Sequence, residues 1–237
     1  MDYHRAMDVG VGEDGDASVE DLRLAVLAGY AETGSAPSVA ELTDSLSLDP
    51  AEILAGLRSL HRDRHLVLDE SGARILMAHP FASVPMGFSV MGRSTLWWGG
   101  CAWDSFALPH LLRDEPEMLV ATRCPACNVA HAWNVGREAP PPGGQVAHFL
   151  TPVAHIWDDV VDSCSHQQIF CDERCVGDWL RRTGKRRGYV MDLHTLWRLA
   201  EHWYEGRLER GYVRREPSAA SAYFEQVGLA GPFWGLG

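Results

Sequence analysis

The sequence predicts an α+β fold: a winged-helix-like helical module over residues 18–79, then a mixed-sheet domain with flanking helices over residues 80–237. Three observations predict it. Capping residues and apolar side chains at helical spacing recur from Ser18 to Leu60. Short β-branched and aromatic runs, broken by Gly and Pro, follow from His65 to Leu150. Helical spacing then returns between Cys175 and Val227.

Residues 1–17 carry Asp2, Asp8, Glu13, Asp14 and Asp16 among glycines, with no periodic apolar face, and are expected to form a mobile tail. Ser18 caps a helix through Leu22, Val26 and Leu27 to about Glu32. Ser38-Val39-Ala40-Glu41 is a capping box, and Asp49-Pro50-Ala51-Glu52 opens a third helix with a cap, a proline at the first helical position and an acid three residues on. Two strands, His65–Asp69 and Arg74–Ala78, joined through Gly72, complete a winged-helix-like pattern. Residues 1–75 hold fifteen acidic against six basic side chains, which leaves few partners for phosphates even though Arg58, Arg62 and Arg64 cluster near the third helix. The module is therefore expected to brace the following domain, with its third helix against it, and nucleic acid is not an expected partner.

In that domain Phe88–Met91 and Ser94–Trp98 read as a strand pair feeding the Gly99-Gly100 turn. A helix follows from Cys101, with Pro109 inside it. Met118–Thr122 and Ala130–Val135 form a hairpin, Gln145–Leu150 is a strand, and Ile169–Phe170 runs into a helix through Val176 and Trp179. A long amphipathic helix spans Asp192–Leu208, and Pro217 starts the last one.

A hydrophobic content of 46% suits a substantial core, whereas a net charge of −11 argues against general nucleic-acid binding. No apolar run is long enough for a membrane span, and the N-terminus lacks a signal-peptide pattern, so a cytoplasmic location is expected. There the six cysteines are reduced and serve as ligands or nucleophiles. No phosphate-binding glycine loop or serine-nucleophile elbow is present, and no organic cofactor is expected.

Cys124-x-x-Cys127 and Cys171-x-x-x-Cys175 have metal-ligand spacing. One pair lies on a hairpin knuckle and the other at a strand-to-helix junction, a treble-clef-like arrangement expected to hold structural zinc. The remaining cysteines are Cys101 and Cys164. Asp104 lies one helical turn from Cys101, and a thiol at a helix N-terminus is favoured as thiolate. Spacing alone leaves open whether Cys101 and Cys164 share a pocket or are unrelated buried thiols.

The stretch Trp98-Gly99-Gly100-Cys101-Ala102-Trp103-Asp104-Ser105-Phe106, then Pro109, and later Val160-Val161-Asp162-Ser163-Cys164-Ser165-His166 with Phe170, resembles the alkylmercury (organomercurial) lyases over about residues 80–190. The resemblance implies an alkylmercury-lyase-like catalytic domain acting on an organomercurial. Cys101 and Cys164 would bind mercury, and a thiol acceptor would collect the Hg(II) product. Asp104 would take a proton from a thiol and deliver it to carbon, helped by a raised pKa in an apolar pocket shaped by Trp98 and Trp103. The other four cysteines depart from the family's best-known members. Two rival readings remain: a winged-helix soft-metal binder or sensor, or an enzyme with another substrate on the same scaffold. A binder needs thiols but no Asp104.

Overall fold

The computed structural model describes residues 13–215 and 217–236. Helix α1 (Glu13–Thr33) starts before the expected Ser18 cap. The rest of the expected tail, residues 1–12, lies outside the described residues. Helix α2 (Val39–Leu46) opens on the Ser38–Glu41 capping box, and α3 (Pro50–Arg62) on the equivalent pair Asp49 and Glu52. The three bury Leu22, Val26, Leu42, Ile53 and Leu57 against one another.

Strands β1 (Val67–Leu68), β2 (Ile75–Ala78), β3 (Phe81–Ala82), β4 (Phe88–Met91) and β5 (Leu96–Gly99) precede helix α4 (Ala102–Leu111). The hairpin β6 (Glu117–Arg123) and β7 (Ala130–Gly136) follows, then β8 (Val146–Phe149), α5 (Val160–Ser165), β9 (Gln167–Phe170), α6 (Glu173–Thr183), β10 (Tyr189–Asp192), α7 (Leu193–Glu201) and α8 (Pro217–Gln226). One sheet runs β1-β2-β3-β5-β4-β6-β7 and the other β10-β8-β9. The expected mixed sheet is corrected: every pairing between these strands is antiparallel. Tight connections such as those between β4 and β5, or β6 and β7, return the chain in the opposite direction, whereas a parallel pair needs a crossover. The expected boundary between residues 79 and 80 falls between β2 and β3, inside the larger sheet.

Helix α1 makes the side-chain contacts that join the N-terminal helices to β3 and β5, whereas α3 meets this sheet only at β1. Tyr30 stacks on Phe81 at 5.2 Å, its hydroxyl bonds Ser83, and its carbonyl accepts from Trp97 Nε1 at 2.8 Å. Buried Arg23 donates to Glu20 and to the carbonyls of Arg207 and Glu209. Helix α3 packs on α1, α2 and β1, which leaves Arg58 and Arg62 at the surface.

Helix α4 has a different character. Every side chain from Ala102 to Pro109 is buried, as suits a helix that is apolar on nearly all sides and lies between the sheet and α7. The long helix expected over Asp192–Leu208 ends at Glu201. Beyond it the chain forms successive turns, with Gly206 at φ 75°, and Tyr204 leaves helical register to reach the buried Asp104.

Candidate active site

Cys101 is the N-cap of α4. Its extended backbone, φ −165° and ψ −174°, turns the thiol back over the first turn, where Sγ accepts from Asp104 N–H at 3.4 Å. The two glycines before it make room for this turn. A Cβ on Gly99 would lie 2.0 Å from Ser105 Oγ, and one on Gly100 would lie 2.4 Å from Asp104 Oδ2. Cys164 comes from α5, which opens on the Asp159 cap, and reaches the same place from the other sheet.

Cys101, Asp104 and Cys164 are 2%, 1% and 3% exposed, and all three line one cavity of about 620 Å³. The Asp104 carboxylate is held at both oxygens. Oδ2 lies 3.0 Å from His79 Nδ1, and Oδ1 accepts from the Tyr204 hydroxyl at 2.6 Å. Ligating atoms of His79, Asp104 and Cys164 all fall within 4.8 Å of one another. Trp103 lines the cavity as anticipated, but Trp98 does not. Trp157, Trp203 and Trp234 supply the other indole walls, with Trp203 packed on Trp103 at 4.6 Å.

The other four cysteines meet elsewhere. The sulfurs of Cys124, Cys127, Cys171 and Cys175 lie within 4.8 Å of one another, with 3.4 Å between Cys127 and Cys171 and 3.9 Å between Cys127 and Cys175. They join the tip of the β6–β7 hairpin to the junction of β9 and α6. Arg182 fastens the knuckle by donating to the carbonyls of Pro125 and Ala126. His166, two residues after Cys164, closes α5 through the Asp162 carbonyl at 2.8 Å and is outside both clusters.

A sequence model of the alkylmercury lyases matches residues 81–205, more than half of the chain. The chain belongs to the alkylmercury lyase family. Among solved structures, the mercury-bound form of MerB2 shares its fold, with a TM-score of 0.59 and 15% identity over 84% of this chain and all of that one. No curated protein sequence matches. No helix among the described residues is long and apolar enough to cross a membrane.

The electrostatics of the lyase cavity correct two expectations. Cys101 is not a ready thiolate despite its place at a helix N-terminus. Burial, then the Cys164 thiol and the Asp104 carboxylate, push its pKa well above the ordinary value and outweigh the Asp104 N–H. The Cys101 thiol favours ionisation of Cys164, but burial and Asp104 together leave that thiol raised as well. Asp104 moves the other way from the raised pKa anticipated. Burial opposes its ionisation, yet His79, Tyr204 and the Cys101 thiol outweigh it and hold the carboxyl below its usual value. Tyr204 is kept protonated by burial and by Asp104, so it remains the donor in that pair. The resting lyase thus presents two thiols and one carboxylate. His79 and Tyr204 escaped the sequence reading: His79 precedes Pro80 in a connector, and Tyr204 sits in an apolar stripe that reads as core.

Proposed function

We propose that this lyase cleaves the carbon–mercury bond by protonolysis, with Cys101 and Cys164 as mercury ligands and Asp104 as proton carrier. The observation behind this reading is the burial of two thiols and one ionised carboxylate around a single cavity. An incoming R–Hg–X exchanges X for sulfur; one thiol proton leaves with X, and Asp104 accepts the other. Two thiolates on mercury raise electron density on the bound carbon, and the protonated Asp104 delivers its proton as that bond breaks. The products are RH and Hg(II) on two sulfurs, which a soluble thiol then collects. An ionised Asp104 suits the first of these proton transfers. Its acidity as a donor comes later, once mercury has replaced the thiol protons.

His79 and Tyr204 position Asp104. Replacing Tyr204 with Phe removes a hydrogen bond that favours the carboxylate, so the Asp104 pKa rises and the acid limb of kcat/KM moves to higher pH. A fall in kcat/KM of about 10-fold accompanies it, as for the loss of a hydrogen bond to a charged group. An unmoved acid limb with an equal loss of rate at every pH contradicts this role.

Structural zinc at Cys124, Cys127, Cys171 and Cys175 belongs to the same proposal. Tetrahedral Zn–S bonds near 2.3 Å imply sulfur separations of about 3.5–4 Å, a spacing close to the two sulfur pairs described above. Cys127 is already eased to about 7, first by the Val129 N–H and then by neighbouring thiols, which favours a thiolate ligand. We read the site as treble-clef-like, tying the two sheets together apart from the chemistry. The N-terminal helices are read as a winged-helix-like brace docked through α1, not as a DNA reader. The six free thiols suit a reducing, cytoplasmic setting.

A metal sensor needs soft ligands but no buried proton carrier, and Asp104 with its two partners favours the enzyme. The test is headspace detection of benzene from phenylmercury, with excess 2-mercaptoethanol present. Catalytic release supports the proposal. Tight Hg(II) binding with no benzene favours the sensor.

A further inference from the structure

Four guanidinium groups, those of Arg64, Arg207, Arg214 and Arg215, line the cavity that holds Cys101 and Cys164. In a chain of net charge −11 this is a local reversal of sign. Among the described residues none of the four is paired with a carboxylate. Three of them donate to carbonyls: Arg207 to His65 at 2.7 Å, Arg214 to Asp63 at 3.3 Å and Arg215 to His202 at 2.8 Å. The acids at the cavity are engaged elsewhere, Asp104 by His79 and Tyr204, and Asp158 by His155 at 2.8 Å.

Arg207 is the strongest observation. It is only 3% exposed, lines the cavity and donates to the His65 carbonyl, with no carboxylate beside it among the described residues. A buried charge without a counter-ion is costly unless something pairs with it. Aromatic faces hold the group in place. Arg207 lies over Tyr204 at 5.5 Å, Arg214 over Trp157 at 4.9 Å and Arg215 over Tyr223 at 4.7 Å. Arg64 joins from the end of α3 through a left-handed backbone, φ 61°, which a non-glycine residue rarely adopts. The crowding has a second signature: His65 is lowered to about 4 by burial and then by Arg207, Arg23 and Arg214.

We infer that this arginine rim binds the carboxylate of a small organic ligand that enters the cavity with mercury. The inference deepens the lyase reading and rests on it for the mercury-bearing part of the ligand. Planar guanidinium forks match carboxylate geometry, and the walls of Trp157 and Trp203 accept the apolar remainder. The carboxylate could belong to the organic group on mercury or to the thiol bound to it.

Two arms separate these sources. The first compares 4-carboxyphenylmercury with phenylmercury, both with 2-mercaptoethanol. The second presents phenylmercury with mercaptoacetate or with 2-mercaptoethanol. Each arm measures kcat/KM for hydrocarbon release and equilibrium binding by tryptophan fluorescence, using the full chain and its Arg214→Gln and Arg215→Gln variants. We expect the carboxylated partner to be preferred about 10-fold in one arm, with the ratio falling toward one in the variants. The ratio cancels any general loss of activity. A preference in binding without hydrocarbon release would sink the lyase reading but keep the rim. Equal treatment of both partners in both arms, with hydrocarbon released, overturns the rim and keeps the lyase.

Discussion

Replacing either Cys101 or Cys164 with serine is expected to reduce benzene release from phenylmercury by about 10³-fold or more. A serine oxygen fills nearly the same space, but it is a hard ligand with little affinity for mercury. With one sulfur left, mercury keeps a single thiolate, and the carbon–mercury bond is not polarised enough to accept the proton. Both thiols are buried, and each lies close enough to perturb the other's ionisation, so the two variants should fail alike. Each should still take up one equivalent of mercurial through the remaining thiol. The cheap control is the folded state, since both substitutions are nearly isosteric. If one serine variant keeps activity within about 10-fold of the parent, that sulfur is not a required ligand.

The second large effect is on stability. Cys171→Ser is expected to abolish zinc binding and to lower the melting temperature by about 10 °C or more, because the loss of a structural metal is among the costliest single changes. Cys171 lies between the hairpin knuckle and β9, 3.4 Å from the Cys127 sulfur, so it links the two halves of the cluster. Removal of metal from the parent protein by a chelator should produce the same fall. Elemental analysis is the check: about one zinc per chain in the parent and none in the variant. Absence of zinc from the parent, with an unchanged melting temperature in the variant, contradicts the proposal.

Local chemistry made much of this legible from sequence. The Ser38–Glu41 and Asp49–Glu52 boxes set two helix starts, because a cap is a contact between residues three apart. The β6–β7 hairpin and the spacing within each cysteine pair were local in the same way, although the two pairs meet across 44 positions between Cys127 and Cys171. What escaped depends on long-range geometry. Tyr204 lies a hundred positions from Asp104, and it reaches the carboxylate only because the helix read over Asp192–Leu208 stops at Glu201. His79 makes its contact across β2 and α4. The ionisation states were misread for a related reason. A helix N-terminus suggested a thiolate at Cys101, but full burial beside a second thiol and a carboxylate outweighs a partial charge from backbone N–H groups. The apolar surroundings suggested a raised Asp104, yet two specific partners reverse that direction. Sheet direction was misjudged because strand pairing between distant segments is not a property of either segment alone.

In the proposed mechanism ligation and proton delivery are separate tasks, carried by the two cysteines and by Asp104. The most direct measurement is a single-turnover comparison of the parent with Asp104→Asn, following both mercurial uptake and benzene from one equivalent of phenylmercury. Asparagine keeps the shape and the contact to the Tyr204 hydroxyl but holds no transferable carboxyl proton. Full uptake of phenylmercury by the variant is expected, with benzene formed at least about 10²-fold more slowly than in the parent. Benzene formed at the parent's rate would contradict it, since the proton would then come from another group.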